Sequence, residues 1–486
     1  MKEKYQKRLK KLLKDWNIES LKDKQEEIIE ELITNKNDVI GLLPTGYGKS
    51  LTYLIPPIIT RKIIFIISPL IALMEDQRDK LIKKDIPVSA LHSNNPFKHK
   101  EQYDIIDGYI NIVYMSPEYL INGEGLELAK TLYEKKMLKY LAIDEAHCIS
   151  TWGHDFRSEY LRISMFRELF PKLPILAVTA TATHRVVDDI RTFLNLSNPK
   201  IVRCNFDRPN LFLDIKQQTK RQVELVLPYI EKYINDDNDD RLIIYTNSRK
   251  DAEQLNNDLN NIKKKMSLVY HAGLSKNFRY MIQNQFNDGE IKVIVCTTAF
   301  GMGIDQTVRC VIVFGFPSSI EEYYQQIGRA GRDNQPAETI LFLYEKNYFI
   351  AKSQLDKYSN ENVKQAKRQN LHSMYNLYQT KSCRRKTILS YFGQVPKFFN
   401  CHNCDNCINR DKNITKKMFK YLIKNKDFNK LFDDKIKNEL LKNELIRFNK
   451  TNKSFEPSQE LINWKRLIII NKITMDNMKE KYKIFI

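Results

Sequence analysis

No run of about 18 uncharged apolar residues occurs in this chain, which excludes a helix long and apolar enough to cross a membrane. The N-terminal segment MKEKYQKRLKKLLKD lacks the apolar core of a secretory signal. The chain is therefore expected to be intracellular and not secreted, in the nucleus of a eukaryote or the cytoplasm of a bacterium or virus-infected cell. Repeats on the order of 20–50 residues are absent, so a solenoid is not expected. Acidic residues are in deficit: 59 Asp and Glu against 79 Lys and Arg leave a net charge of +20. Such an excess commonly answers to nucleic acid phosphate. Cysteine is sparse outside one cluster. Cys148, Cys204, Cys296 and Cys310 stand singly, whereas Cys383, Cys401, Cys404 and Cys407 lie together. In a reducing compartment such a cluster reads as metal ligands before disulfides.

What is present is enough chain for several cores. At 486 residues, with 42% hydrophobic and 28% charged residues, the composition is that of a multidomain globular protein. Short, continuous apolar runs alternate with helical patterns from about residue 37 to 345. VIGLL (39–43), KIIFIISP (62–69), NIVYMSP (111–117), YLAIDEAH (140–147) and ILAVTATAT (175–183) form one set. RLIIYTNS (241–248), LVYHAG (268–273), KVIVCTTAFG (292–301), CVIVFGFP (310–317) and TILFLY (339–344) form a second. Runs of this kind predict buried parallel strands, hence an α/β class with two similar sheet domains. The joint is expected near NFDRPNL (205–211), and YINDDNDD (233–240) reads as an exposed loop. Beyond about 350, long polar helices lead to the cysteine cluster. Residues 410–486 then carry 20 Lys and Arg against 10 Asp and Glu, half of the whole excess. The expected domains are 1–207, 208–348, 349–410 and 411–486. The last is a basic nucleic-acid-binding region, unless the charge only solvates a Lys- and Asn-rich tail.

Three stretches carry chemistry. In GLLPTGYGKS (41–50), Gly46 and Gly48 would let backbone N–H groups approach an anion. Lys49 adds charge and Ser50 a hydroxyl for Mg²⁺, at a helix N-terminus. The strict phosphate-loop pattern would place glycine at 43, where this chain has Leu43. YLAIDEAH brings Asp144 and Glu145 out of a strand, one suited to holding Mg²⁺ and the other to polarising water. YYQQIGRAGRD (323–333) places Arg329 and Arg332 three apart, expected on one helix face and able to reach a terminal phosphate. Singly, these are also a Gly-rich turn, two capping carboxylates and a solvated turn. Together they describe a nucleoside triphosphatase.

The ordered set LLPTGYGKS, SPLIALMEDQ (68–77), DEAH with CISTWGHDFRSEY (148–160), TATAT (179–183), YHAGLS (270–275), TTAFGMGID (297–305) and YYQQIGRAGRD resembles the RecQ family of superfamily 2 DNA helicases. The resemblance covers about residues 15–410. It implies two tandem RecA-like domains with ATP between them, 3′–5′ translocation on a single DNA strand, and a zinc-binding subdomain behind. By position it implies that Lys49, Asp144, Glu145, Arg329 and Arg332 are catalytic. Gln25, Pro44, Thr45, Gly46, Tyr47, Gly48, Lys49, Ser50 and Gln325 would bind ATP, with Ser50 and Asp144 on Mg²⁺. Gln25 stands in LKDKQ (21–25), where the family's aromatic and arginine are replaced by Leu21 and Lys22, which weakens stacking on adenine. His147, Trp152, His154, Phe156 and Arg157 would couple DNA to hydrolysis, since aromatic faces and a cation suit unpaired bases. Core packing is the alternative for Trp152. Thr151 and Ser158 replace residues that relatives often have as Gln and Pro. Thr298, Gly301 and Gly303 would grip the strand from the second domain.

Cys383-x17-Cys401-x2-Cys404-x2-Cys407 offers four thiolates, a closed structural Zn²⁺ site, with His402 as a competing ligand and an iron–sulfur cluster as the rival. The preceding SCRRKTILSYFGQ (382–394) resembles the family's zinc-subdomain helix. Residues 436–464 read as a helix and two short strands around NKTNKS, compatible with a small winged helix. The expected partners are single-stranded DNA and duplex junctions, with ATP, Mg²⁺ and Zn²⁺ as cofactors. A translocase that does not unwind, an RNA helicase and a non-enzymatic nucleic-acid clamp are the alternatives.

Overall fold

The apolar runs of the sequence form two sheets in a computed structural model of the chain. It describes residues 2–121, 124–153, 155–218, 221–234, 239–301 and 308–410, and the backbone of 446–449 and 454–457. His154 and Gly303 lie outside the described residues, as does the helix expected ahead of the C-terminal strands. Those two strands are formed: Ile446–Asn449 pairs antiparallel with Ser454–Pro457.

The first sheet contains β1 (Val39–Leu42), β2 (Ile63–Ile67), β3 (Val88–Leu91), β4 (Ile112–Met115), β5 (Leu138–Ile143), β6 (Ile175–Thr179) and β7 (Lys200–Arg203). Its order is β3-β4-β2-β5-β6-β1-β7, with every pair parallel. The second contains β8 (Leu211–Gln217), β9 (Arg241–Tyr245), β10 (Leu268–Tyr270), β11 (Val293–Cys296), β12 (Val308–Phe314) and β13 (Ala337–Leu343), in the order β10-β11-β9-β12-β13-β8. The pairs among β9 to β13 are parallel. Parallel strands need crossover connections, and helices occupy them, covering both faces. The first core gathers Val39, Ile64, Ile66, Ile112, Tyr114, Ala142 and Val178. The second gathers Leu242, Ile244, Val293, Val295, Ile312 and Phe342.

One buried ion pair ties the first sheet at its start. Asp38 accepts from Arg167 Nη2 (2.6 Å) and from the Ile175 (2.9 Å) and Ser197 (3.0 Å) N–H groups, so β1, β6 and the approach to β7 share one carboxylate.

By its contacts the chain divides into two bodies. The first sheet, the second sheet apart from residues 212–214 of β8, and the helix Glu361–Gln379 fall in the first, with residues 388–395. Residues 212–214, 380–387 and 396–486 form the second, which contains all four clustered cysteines. Among the described residues no helix is long and apolar enough to cross a membrane.

Candidate nucleotide cleft and metal centre

In parallel α/β sheets the reactive groups collect beyond the carboxyl ends of the strands, and here β1 runs directly into the phosphate loop. Leu43 continues the strand, its N–H donating to Thr179 O at 3.0 Å, and it is fully buried in the core. The non-glycine residue therefore stands at a strand position, upstream of the cradle. Gly46 and Gly48 take φ of +80° and +88°, the left-handed region that favours glycine. A Cβ on Gly48 would lie 2.5 Å from Gln25 Nε2. Helix Lys49–Thr60 starts immediately after, presenting its N-terminus.

Gln25 is buried behind the loop. Its Nε2 donates to Tyr47 O (2.8 Å) and Gly48 O (3.1 Å), and its Oε1 accepts from the Lys22 N–H (2.9 Å). The side chain thus braces the loop backbone. The Lys22 ammonium lies 4.6 Å over the Tyr47 ring. A cavity of about 800 Å³ is lined by Thr45, Gly46, Gly48, Lys49, Ser50, Asp144, Glu145, His147, Gln325, Arg329 and Arg332 among others. Gln25, Pro44 and Tyr47 are not in its lining.

β5 delivers the two carboxylates into this cavity. Asp144 is buried, its Oδ1 accepting from the Glu145 N–H at 3.0 Å. Burial and the neighbouring Glu145 charge push its pKa up to about 6. Glu145 has φ +48°, turning its side chain back over the loop. Its Oε1 is 2.9 Å from Lys49 Nζ and its Oε2 3.2 Å from His147 Nδ1. Burial disfavours its charge, but Lys49 and His147 outweigh this and hold it well below the usual carboxylate range. His147 Nδ1 also lies 2.8 Å from Thr179 Oγ1 at the end of β6.

The motif reading missed Tyr53. Its hydroxyl lies 3.1 Å from Ser50 Oγ and 3.4 Å from Asp144 Oδ2, bridging the two expected Mg²⁺ ligands. A signal was there: Tyr53 follows Ser50 by three positions, one helical turn.

The arginines require a correction. Helix Ile320–Ile327 ends at Gly328, so Arg329 and Arg332 sit in the turn beyond it and share no helix face. Gly328 abuts Thr45 of the phosphate loop, and the Arg332 stem packs on Gly46 across the cleft. The Arg329 guanidinium instead covers Gly301, within its own sheet domain.

The aromatic loop is tied to the same machinery. A Cβ on Gly153 would fall 2.2 Å from His147 O. Trp152 is half-buried, with the Arg185 guanidinium 3.3 Å above its ring and Asn370 Nδ2 donating to its carbonyl at 3.3 Å. It is stacked by a cation at the loop, not sunk in the core. Arg157 Nη1 donates to Pro69 O at 2.6 Å, linking the loop to SPLIALMEDQ. Phe156 is half-exposed.

In the second body the sulfurs of Cys383, Cys401, Cys404 and Cys407 lie within 4.8 Å of one another, and those of Cys401 and Cys407 are 3.9 Å apart. A tetrahedral zinc with Zn–S bonds of about 2.3 Å separates its sulfurs by about 3.8 Å, so the four thiolates fit one such ion. So close a set has no room for a multi-iron cluster. His402 is outside the set; its Nδ1 lies 3.3 Å from Asn400 Nδ2. Arg384 Nη2 pairs with Asp405 Oδ2 at 2.9 Å, and Asn406 Nδ2 donates to Thr380 O and Ser382 O at 2.7 and 2.8 Å. These bonds bring the two cysteine-bearing segments together. A zinc held by these four thiolates would supply a cross-link between the two segments.

Two RecA-like sheets sharing a nucleotide cleft define a class, the helicases of superfamily 2. Family models agree: residues 22–190 match the DEAD/DEAH box helicase domain, 225–334 the helicase conserved C-terminal domain, and 343–408 the RecQ zinc-binding domain. A chain of Acanthamoeba polyphaga mimivirus, R290, which bears the name of an ATP-dependent RNA helicase, is 38% identical over 84% of this chain and 73% of its own length. The ATP-dependent DNA helicase RecQ of Pasteurella multocida is 36% identical over 82% of this chain and 61% of its own length. The chain thus spans about three fifths of that bacterial relative. The structure of the DUF1998 helicase MrfA bound to DNA superposes with a TM-score of 0.59 at 16% identity, covering 98% of this chain and 65% of that one. Within its class, the chain belongs to the RecQ family.

Proposed function

We propose that the chain is an ATP-dependent DNA helicase that moves 3′–5′ along one strand and separates duplex or branched DNA in repair, recombination or replication. The observation that carries the reading is the cleft itself. The turn bearing Arg332 of the second sheet rests on Gly46 of the phosphate loop, so closure of the two sheets assembles the site and hydrolysis lets them part. Lys49 takes the β- and γ-phosphates, Ser50 and Asp144 hold Mg²⁺, Glu145 polarises water, and Arg332 neutralises charge in the transition state. Mg²⁺ held there would supply charge neutralisation for the transferred phosphoryl group. His147 links Glu145 to the aromatic loop, where Trp152, Phe156 and Arg157 meet the strand, and Thr298 and Gly301 grip it from the second domain.

Residues 1–207 and 208–348 are the two motor domains, 349–410 the zinc subdomain and 411–486, most of which lies outside the described residues, a basic region for DNA. The protein works inside the cell, in the nucleus of a eukaryote or the cytoplasm of a bacterium or virus-infected cell. A second reading, RNA unwinding, is favoured by the name of the mimivirus relative. Strand displacement with ATP on forked, 3′-tailed and 5′-tailed duplexes, in DNA and RNA, decides between them. Displacement of 3′-tailed and forked DNA is expected. Activity confined to RNA, or to 5′-tailed substrates, overturns the proposal.

A further inference from the structure

The segment joining the two sheets does more than connect them. After helix Ile320–Ile327, Arg332 stands in the turn Gly328–Asp333, whose Arg329 and Ala330 N–H groups donate back to Gln326 O (3.3 Å) and Ile327 O (3.1 Å) and whose Gly331 N–H donates to Val308 O (2.9 Å). The carbonyls just before Arg332 are held from the linker as well. Arg208 Nη2 donates to Ala330 O (2.9 Å) and Gly331 O (2.6 Å). Asn210 Nδ2 donates to Gly331 O and Gln335 O, both at 2.9 Å. Gly331 takes φ +55°, and a Cβ there would lie 2.5 Å from Asn210 Nδ2, so the linker lies directly against the turn. On the far side of Arg332, Asp333 pairs with Arg309.

The linker has its own anchors. Phe206 is fully buried; its N–H donates to Gln394 Oε1 at 3.1 Å and its carbonyl accepts from the Tyr324 hydroxyl. Its ring stacks on Phe392, with centroids 5.2 Å apart and planes at 30°. Arg208 therefore projects from a fixed backbone onto the carbonyls immediately before Arg332.

We propose that Arg208, with Asn210 beside it, is a positioning residue for the arginine finger: it fixes the backbone from which Arg332 reaches the transferred phosphate. This rests on the reading of Arg332 as that finger. A guanidinium forked over two carbonyls makes charge-assisted bonds that lysine reproduces only in part. Misplacement of a catalytic group by about 1 Å costs up to about 10²-fold in rate, which sets the size of the effect.

The test is ATP turnover at saturating single-stranded DNA for Arg208→Ala, Arg208→Lys, Arg332→Ala and the Arg208→Ala/Arg332→Ala pair. Binding of ADP and of ADP with aluminium fluoride is measured beside it, and thermal melting reports folding. Arg208→Ala is expected to lower kcat by about 10- to 100-fold, with KM for ATP and ADP affinity within about threefold. Affinity for the aluminium fluoride complex falls in step with kcat, because that complex mimics the transition state. Arg208→Lys recovers part of the rate and carries the test if the alanine variant does not fold. The double variant is no slower than Arg332→Ala, since both act through one group. Multiplying losses, or a raised KM at unchanged kcat, overturns the inference; the latter makes Arg208 a direct nucleotide contact. If Arg332→Ala turns over at the wild-type rate, the finger reading itself fails. If Arg332→Ala is inactive while Arg208→Ala is normal, only the positioning role fails.

Discussion

Glu145 sits between two polar partners, with Lys49 at 2.9 Å on one oxygen and His147 at 3.2 Å on the other. Its φ of +48° is a conformation that non-glycine residues adopt at a cost of order 1–3 kcal/mol, and such strain collects at functional sites. Glu145→Gln keeps the shape and removes the charge that polarises water. ATP turnover is expected to fall by about 10²- to 10⁴-fold while nucleotide binding persists; an unchanged rate would remove Glu145 from the chemistry. Lys49→Ala is expected to reduce turnover to background, because the transition state loses its cation. Tyr53→Phe removes only the hydroxyl between Ser50 and Asp144. A hydrogen bond worth about 0.5–1.5 kcal/mol corresponds to about a 2- to 10-fold rise in the Mg²⁺ concentration for half-maximal ATPase. A Mg²⁺ titration that superposes on the wild type would show that Tyr53 only packs.

Among the elements, the strands at the centres of the sheets were legible and three at the edges were not. β3, β7 and β8 are edge strands. An edge strand has one neighbour and can face water, so it need not be a continuous apolar run; Lys200 and Ile201 of β7 are exposed. The Asp38–Arg167 pair, with side chains 5% and 9% exposed, was equally silent. Asp38→Ala strands a buried guanidinium and two N–H groups, and should destabilise the fold by about 3–5 kcal/mol, read by denaturant or thermal melting. An unshifted midpoint would mean that water replaces the carboxylate. In the metal centre, Cys404→Ser should lower zinc below the one ion per chain expected of the parent. Soluble yield and DNA binding should fall with it, because a structural zinc contributes folding free energy. Visible absorbance with no zinc by elemental analysis would contradict the four-thiolate zinc assignment.

At the scale of the whole molecule the question is how a strand on the aromatic loop reaches the carboxylates. Gly153 packs on the His147 carbonyl, and Trp152 is held between Arg185 and Asn370. A base displacing Arg185 from the indole would therefore move a loop fastened to His147. Trp152→Ala is expected to abolish most DNA stimulation of the ATPase and leave the DNA-free rate nearly unchanged. Binding of single strands should weaken by no more than roughly 1–3 kcal/mol, because phosphate contacts carry most of the affinity. Full stimulation of the variant at saturating DNA would reduce Trp152 to a binding contact.

Local order along the chain was sufficient for the chemistry: a phosphate loop at a helix start, two carboxylates at a strand end, and four cysteines spaced for one metal. These are short-range patterns, and the ligand types and backbone freedom they demand are properties of the residues themselves. Only the tertiary structure decided that Arg332 faces the phosphate loop while Arg329 folds back on Gly301, or that Gln25 braces the loop from behind. It also brought Arg208 onto the carbonyl of a residue 123 positions away. Contacts across such distances depend on how two separately folded sheets stack and where their connecting segment is pinned, and no local periodicity records that.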